Sequence, residues 1–160
     1  MDEEQTMVIQ TPTLEIVKAE EDALQLDSFN YDFAWKLGSH IRENAAALKL
    51  PVAIEVRHGV DVVFASLLPG ATIDNFGWTS RKCAVVHRFH RSSLRVRLQA
   101  EAGDYDFNAK FGLPSAQFVA SGGGFPLTLR GGTLIGSVAV SGLPDVEDHA
   151  LITASLKELL

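Results

Sequence analysis

The glycine-rich segment between residues 121 and 143 places the strongest constraint on what this chain can fold into. It reads SGGGFPLTLRGGTLIGSVAVSGL, and runs of alternating or β-branched residues flank the central Gly131-Gly132 pair. Both central residues of a type I′ hairpin turn need a positive φ, which glycine adopts at no steric cost. The segment therefore predicts a β-hairpin, and with it antiparallel strand pairing.

The same glycines do not match a phosphate-binding loop. A Walker-type loop ends in Gly-Lys-Ser/Thr and leads into a helix, whereas no glycine of this chain precedes a lysine. A dinucleotide-binding fingerprint follows a strand and opens a helix, but the glycines at 122–124 precede a strand. The segment therefore favours sheet structure over nucleotide binding.

Helices are predicted on both sides of this hairpin and of a second one. The second hairpin has a strand from Val52, a turn at Arg57-His58-Gly59 and a strand from Val60 to Leu67. Apolar spacing predicts helices over 13–24, 30–48 with Asn30 as N-cap, about 75–100 with Asp74 or Asn75 as N-cap, about 114–120, and from Asp145 to the end. Hairpins combined with helices indicate an α+β domain rather than a doubly wound one.

Composition restricts the cellular setting. The 160 residues suit one domain, and we expect residues 1–12 to be flexible and residues 13–160 to form the domain. One cysteine, Cys83, excludes an internal disulfide and fits a cytoplasmic location. No apolar stretch approaches the ~20 residues of a membrane span, and the acidic start MDEEQTM is unlike a secretory signal.

Positive charge is concentrated in one segment. Residues 81–97 contain six of the 14 lysines and arginines and no acid, so the rest of the chain carries a charge of −12. On a continuous helix, Arg81, Arg88, Arg91 and Arg95 would share one face. Such a stripe is typical of a solvated or salt-bridged face, with an anion-binding groove as the alternative. The acidic remainder argues against nucleic acid as a partner.

Three motifs resemble one protein family. They are DN-x-x-W-x-x-RK, RSS and GG-x-FP…IGSV-x-VSGLP, and the likeness extends over about residues 13–160. The chain resembles the small proteins labelled heme-degrading-domain proteins, relatives of bacterial haem-binding and glycolate-operon proteins. The resemblance implies a profilin-like fold, an antiparallel sheet of about five strands with helices packed on it. It also implies a homo-oligomer and makes haem a candidate cofactor.

The motif residues are the candidate ligand site. Asn75, Trp78, Arg81 and Lys82 open a predicted helix, whose N-terminus attracts anions, and arginine grips a carboxylate through two hydrogen bonds. The alternative is that Asn75 caps, Trp78 packs and both cations are solvated. The resemblance adds the strand start at Gly123, Gly124, Phe125 and Pro126.

His90 is the candidate haem ligand, because imidazole is a known axial ligand of haem. Phe76, Val86 and Leu94 would form the slot, but the same apolar arc is what the helix must bury against the sheet. We therefore expect weak haem binding or none. The five histidines are scattered and Cys83 stands alone, so no metal site is predicted.

These observations favour a small cytoplasmic, homo-oligomeric binding protein for a small anionic or haem-like ligand. A protein-interaction or scaffold module without a small ligand is the first alternative. The second is an enzyme that uses Arg81, Lys82 and a histidine on a small organic acid. Nothing in the sequence identifies a catalytic nucleophile, because no G-x-S-x-G motif is present.

Overall fold

The computed structural model describes residues 9–160 and contains a four-stranded antiparallel sheet in the order β2-β1-β4-β3. Both predicted hairpins are present: β1 (Ala53–His58) pairs with β2 (Asp61–Leu67), and β3 (Gly124–Thr128) pairs with β4 (Leu134–Ser141). The β1–β4 pairing joins the two hairpins into one sheet. The strand count is four rather than about five, and the segment before residue 30 adds only a single parallel bridge, Leu26 to Leu129.

Six α-helices complete the described chain. They are α1 (Leu14–Ala23), α2 (Tyr31–Ala47), α3 (Asp74–Phe89), α4 (Ser93–Ala102), α5 (Phe107–Phe111) and α6 (Asp145–Leu159). The predicted N-cap of α2 is confirmed, since the Asn30 side chain accepts a hydrogen bond from the Phe33 N–H at 2.7 Å. The predicted N-terminal flexibility concerns mainly residues 1–8, which lie outside the described residues.

The two faces of the sheet differ in chemistry. The face toward α2 and α6 is apolar, with Ile54, Val56, Val138 and Val140 in the main core. The opposite face toward α3 carries small and polar side chains, among them Ser141. Alternation along each strand produces this division, since successive side chains point to opposite faces. The helix α3 therefore covers polar groups that need partners on the helix or on the sheet itself.

The predicted long helix over 75–100 is wrong in one respect: it is two helices. His90 ends α3 in the left-handed conformation at a φ of 56°. Ser92 then caps α4, because its side chain accepts a hydrogen bond from the Arg95 N–H at 3.1 Å. The arginines on either side of the break consequently share no continuous helix face, and the predicted arginine stripe does not form.

Three smaller predictions also need correction. The short helix predicted near 114–120 lies earlier, at Phe107–Phe111, and residues 115–117 form a turn. The turn of the first hairpin falls at Gly59-Val60, because β1 continues to His58. The N-cap position of α3 is Ile73, which provides no side-chain hydrogen bond. Gly131 and Gly132 have positive φ values of 102° and 98°, as predicted, but the loop is longer than a two-residue turn, because the Leu129 N–H donates to the Thr133 carbonyl at 2.8 Å and encloses Arg130 as well.

Candidate functional site

A cavity of about 260 Å³ lies where α3 and α6 begin, beside the end of β4. It contains a buried ion pair and several uncharged polar groups. Its lining consists of Asn75, Trp78, Lys82, Ser121, Ser141, Gly142, Leu143, Asp145 and Asp148. Three of the residues predicted from the sequence, Asn75, Trp78 and Lys82, therefore come together in this cavity.

Larger clefts lie elsewhere but carry less chemistry. One of about 470 Å³ lies beside α4 and α5, and the acids that line it, Glu101, Asp104 and Asp106, are exposed. Another of about 410 Å³ is lined mainly by apolar side chains such as Phe89 and Val96. A charge in water has no desolvation cost, whereas a buried charge requires specific partners to compensate for the loss of water. The smaller cavity at α3 and α6 is thus the better candidate site.

A buried ion pair between Lys82 and Asp148 forms one wall of the cavity. Lys82 is 2% exposed, and its Nζ donates to Asp148 Oδ2 at 3.0 Å and to the Val140 carbonyl oxygen at 2.9 Å. Burial raises the pKa of the Asp148 carboxyl to about 6, although Lys82 and the Leu143 N–H both favour its charged form. The ammonium group is therefore fixed in place rather than mobile, contrary to the solvated alternative.

Gly123 makes room for this ion pair. Its φ is 117°, and a Cβ atom there would lie 2.8 Å from Lys82 Nζ and 2.5 Å from the Val140 carbonyl oxygen. Only glycine combines a positive φ with such a close approach. The motif glycine thus contributes to the site by leaving space for the lysine side chain.

Two helix N-termini meet at the cavity. Asn75 belongs to the first turn of α3 and Asp145 to the first turn of α6, and neither helix has a side-chain N-cap hydrogen bond. Asn75 accepts from the Thr72 N–H at 2.9 Å and contacts Ser141 Oγ at 3.4 Å. The first-turn N–H groups of a helix carry partial positive charge, which favours anions.

Trp78 and Arg81 lie at the outer side of this site. Trp78 is 37% exposed, and the Arg81 guanidinium stacks 4.2 Å above its ring. Arg81 also donates to the carbonyl oxygens of Gly77 and Ser115. Arg81 does not line the cavity, and its position is set by the tryptophan and the two carbonyls.

The remaining predicted residues do not line the cavity. His90 is exposed at the end of α3, Phe125 is fully buried in the main core, and Pro126 is buried within β3. The Gly124 N–H donates to Ser93 Oγ at 2.8 Å, a contact that ties β3 to α4. None of these four residues is part of the cavity lining.

The residues considered for a haem slot do not form one among the described residues. Val86 and Leu94 are fully buried in the protein interior, and they belong to different helices. His90 projects from the helix end between them and is exposed. The apolar side chains considered for the slot pack in the interior instead, because their burial stabilises the fold. Among residues 9–160, no group of three His, Cys, Asp or Glu side chains is placed to hold a metal ion.

Much of the basic segment forms internal polar contacts. Arg95 pairs with Glu21 at 2.9 Å, Arg97 with Asp145 at 2.7 Å, and Arg91 donates to Gln99 at 2.9 Å. Arg88 remains exposed. The salt-bridged alternative for the arginine segment therefore describes these side chains better than a continuous anion-binding groove.

A second polar cluster lies beneath α3, away from the cavity. Glu55 is 5% exposed and accepts from Arg57 at 3.0 Å and from the Cys83 thiol at 3.7 Å. Burial, and then the Glu55 carboxylate, raise the pKa of Cys83 to about 12. His87 contacts Ser137 at 2.9 Å, and burial lowers the pKa of this histidine. Both the burial and the raised pKa make the thiol a poor nucleophile, and the cluster serves to satisfy buried polar groups.

Comparison with known proteins places the chain in a family. Residues 29–157 match the model of the family described as "Haem degrading protein HbpS-like". A UPF0303 protein of Paraburkholderia xenovorans is 41% identical over 143 residues, covering 89% of this chain and 87% of that one. A UPF0303 protein of Streptomyces avermitilis is 39% identical over 155 residues, covering 97% and 95%. The chain belongs to the HbpS-like family of haem-degrading proteins.

Solved structures share the fold. The crystal structure of Ybr137w matches with a TM-score of 0.85 and 27% identity, covering 94% of this chain and 88% of that one. A PduOC–haem complex matches with a TM-score of 0.69 and 17% identity, covering 81% of this chain and 94% of that one. The crystal structure of HbpS matches with a TM-score of 0.66 and 15% identity, covering 85% of this chain and 92% of that one. The predicted family and α+β fold are confirmed. No helix among residues 9–160 is long and apolar enough to cross a membrane.

Sequence reasoning missed Asp148, the partner of Lys82. Asp148 shares the first turn of α6 with Asp145 and Glu147, where acids favour a helix without any further partner. A signal was present, because Ile152 and Leu156 follow at spacings of four and eight residues and are both buried. Residues at these spacings share one helix face. Periodicity therefore places Asp148 on the inner side of α6, where a carboxylate requires a partner.

Proposed function

We propose that this protein binds a small organic anion in the cavity between α3 and α6. The observation that carries the proposal is the buried Lys82 ammonium group at the cavity wall. An ammonium group has three N–H donors, and protein partners occupy two of those of Lys82, the Val140 carbonyl and the Asp148 carboxylate. In this proposal the third donor is the one that the ligand uses.

Three further features support an anion of modest size. The first turns of α3 and α6 add partial positive charge, and Asn75 and Ser141 offer uncharged hydrogen-bonding groups. Drug-sized ligands occupy about 300–1,000 Å³, so a cavity of about 260 Å³ suits a smaller molecule. A short carboxylic acid fits both the volume and the donors.

Thermal unfolding with short carboxylates tests this proposal. Acetate, lactate and pyruvate are the probes, with sodium chloride at equal ionic strength as the reference. A ligand at ten times its Kd raises the Tm of a domain of this size by about 3–6 °C. Absence of any carboxylate-specific shift up to about 50 mM would overturn the proposal, since weaker binding corresponds to less than ~2 kcal/mol.

Two asparagine variants provide the control. Asn75→Asp adds a negative charge inside the cavity and keeps the oxygen that accepts from the Thr72 N–H. Asn30→Asp makes the same change at the N-cap of α2, which is remote from the cavity. We expect the first variant to lose the carboxylate-dependent shift and the second to retain it. Equal loss in both would indicate a nonspecific charge effect.

Haem is the second candidate ligand. It is favoured by the family description and by the haem complex of a structural neighbour. The predicted slot around His90 does not support it, so a haem site would lie elsewhere on the surface. His58 is one exposed imidazole, held by the Tyr31 hydroxyl at 3.0 Å. Titration with hemin distinguishes the two candidates, because only haem binding gives a shifted Soret band.

We also propose that the protein is a homo-oligomer that functions in the cytoplasm. The support for assembly is the edge strand β2, next to exposed apolar side chains: Trp35 is 68% exposed and Val62 49%. Exposed edges beside apolar surface favour association. A single buried cysteine, Cys83, suits a reducing compartment. Light scattering that gives a monomer mass at micromolar concentration would overturn the assembly proposal.

A further inference from the structure

The buried ion pair of the cavity has an unusual composition for an anion site. Each charge of an isolated Lys–Asp pair cancels the other, so an incoming carboxylate would meet Asp148 as well as Lys82. The two groups are joined by a hydrogen bond of 3.0 Å, and both line the cavity. A bound carboxylate would therefore lie close to a second carboxylate. Two carboxylates at such a distance cannot both remain ionised without a large cost.

We propose that the cavity binds a short monocarboxylate together with one proton, which Asp148 takes up. Lys82 Nζ donates to one oxygen of the ligand, and the protonated Asp148 carboxyl donates its O–H to the ligand's other oxygen. The proton comes from solvent, so the complex gains one anion and one proton, and the net charge of the site does not change. This inference rests on the proposed function and specifies how the same site recognises its ligand.

The surroundings of Asp148 make it the group that takes up the proton. It is 1% exposed, and it accepts hydrogen bonds from Lys82 on α3 and from the Leu143 N–H at 3.1 Å. Asp145, on the same helix, is a like charge that opposes its ionisation. Asp145 in turn is paired with Arg97 on α4 and accepts from the Gly122 N–H at 2.8 Å, so its charge is already compensated.

The strands next to Asp148 contribute uncharged groups. Val140 of β4 offers its carbonyl to Lys82, and Gly123 packs against both members of the pair. Ser141 and Asn75 complete the polar lining and are suited to a hydroxyl or oxo group next to the carboxylate. The ligand class that fits is therefore a short 2-hydroxy or 2-oxo acid. Lactate and pyruvate are the corresponding probes, and acetate lacks the second group.

The sign of the pH dependence follows from this scheme. The pKa of Asp148 in the free protein is about 6, so above that pH its carboxyl is charged and must take up a proton when the ligand binds. Affinity for lactate should then fall about tenfold for each pH unit between pH 7 and 8. Below about pH 6 the proton is already present, and the affinity should become nearly independent of pH until the ligand itself is protonated.

Calorimetry measures the proton directly. Lactate is titrated into the full-length protein at pH 7.5 in MOPS and in Tris, whose ionisation enthalpies differ. The difference between the two binding enthalpies gives the number of protons taken up. We expect more than about half a proton per bound lactate, since Asp148 is almost fully ionised in the free protein at this pH. Binding with no proton uptake would overturn this inference and leave the proposed function intact.

Two variants assign the proton to its group. Asp148→Asn carries a permanent N–H donor, and we expect it to bind lactate without proton uptake and without the pH dependence. Glu147→Gln removes a carboxyl of the same helix that does not line the cavity, and both lactate binding and the proton uptake should persist. If Asp148→Asn does not fold, the wild-type enthalpies at pH 5 and pH 7.5 decide the outcome, because the uptake should disappear below the pKa of Asp148, which is about 6. Absence of lactate and pyruvate binding to the wild type would overturn both the inference and the proposed function.

Discussion

The middle of α3 and the region after its end contrast in how they use positive charge. In the middle of the helix, one lysine, Lys82, is buried against Asp148 and lines a cavity. Beyond the end, Arg95 and Arg97 belong to α4 and pair with acids that tie helices together. The region with more positive charge is thus structural, and the single buried charge is the better candidate for chemistry. Burial of a charge, rather than the density of charge, identifies the site.

Replacement of Lys82 should give the largest effect. Lys82→Met removes one partner of a buried ion pair and leaves Asp148 uncompensated, so we expect a loss of about 3–5 kcal/mol in the free energy of unfolding. The control is Arg88→Met on the same helix, an exposed position where we expect less than ~0.5 kcal/mol. Urea unfolding at one fixed protein concentration measures both. Similar losses in the two variants would remove the contrast between buried and exposed cations.

The pH dependence of the free energy of unfolding should test whether the Asp148 carboxyl is buried. Its pKa is raised from 3.8 to about 6 by burial, so the folded protein binds more protons than the unfolded chain between these values. Stability from this group is therefore lost as the pH rises from about 4 to 6. Whatever the absolute stability of Asp148→Asn, it should lose about 2–3 kcal/mol less than the wild type as the pH rises over that interval, because it lacks the titrating carboxyl. Parallel stability profiles of variant and wild type would contradict the burial of this carboxyl.

The end of α3 should contribute little to haem binding. Because His90 is exposed and the apolar arc is buried in the interior, we expect hemin to give no sharp, saturable Soret shift with 1:1 stoichiometry. Absorbance titration of the wild type and of His90→Ala checks this expectation. A shift that disappears in a folded His90→Ala variant would restore the helix end as the haem site. A shift that survives would direct attention to His58.

We expect the smallest effect of all for the binding of nucleic acid to the basic segment. Arg95 and Arg97 are already paired with acids, and the rest of the chain is strongly negative, so we expect no binding of DNA or RNA at physiological salt. Fluorescence anisotropy with labelled oligonucleotides measures it. Micromolar, salt-sensitive binding that is lost in an Arg88→Ala/Arg91→Ala double variant would show that the basic segment is a functional surface after all.

Local patterns in the sequence were sufficient for the hairpins and for most helices. Gly131-Gly132 determines its turn by backbone geometry alone, and Asn30 caps α2 through a contact three residues away. The break at His90 was missed because the apolar spacing continues on both sides of it. Asp148 was missed as the partner of Lys82 because 66 residues separate the two in sequence. Such a pairing depends on how the helices pack, which a local pattern does not encode.

The sheet order β2-β1-β4-β3 has a consequence for synthesis of the protein. The central pairing joins β1, at residues 53–58, to β4, at residues 134–141, and about half of the chain separates the two strands. Most of the 160 residues must therefore be made before the sheet can close. Until then the first hairpin has β1 as a free edge, and its apolar face is covered only by α2. Pairings this distant in sequence slow folding, because a long loop must be ordered first. A nascent chain that stalls before β4 would expose β1 to neighbouring chains, which makes this protein a candidate client of chaperones during translation.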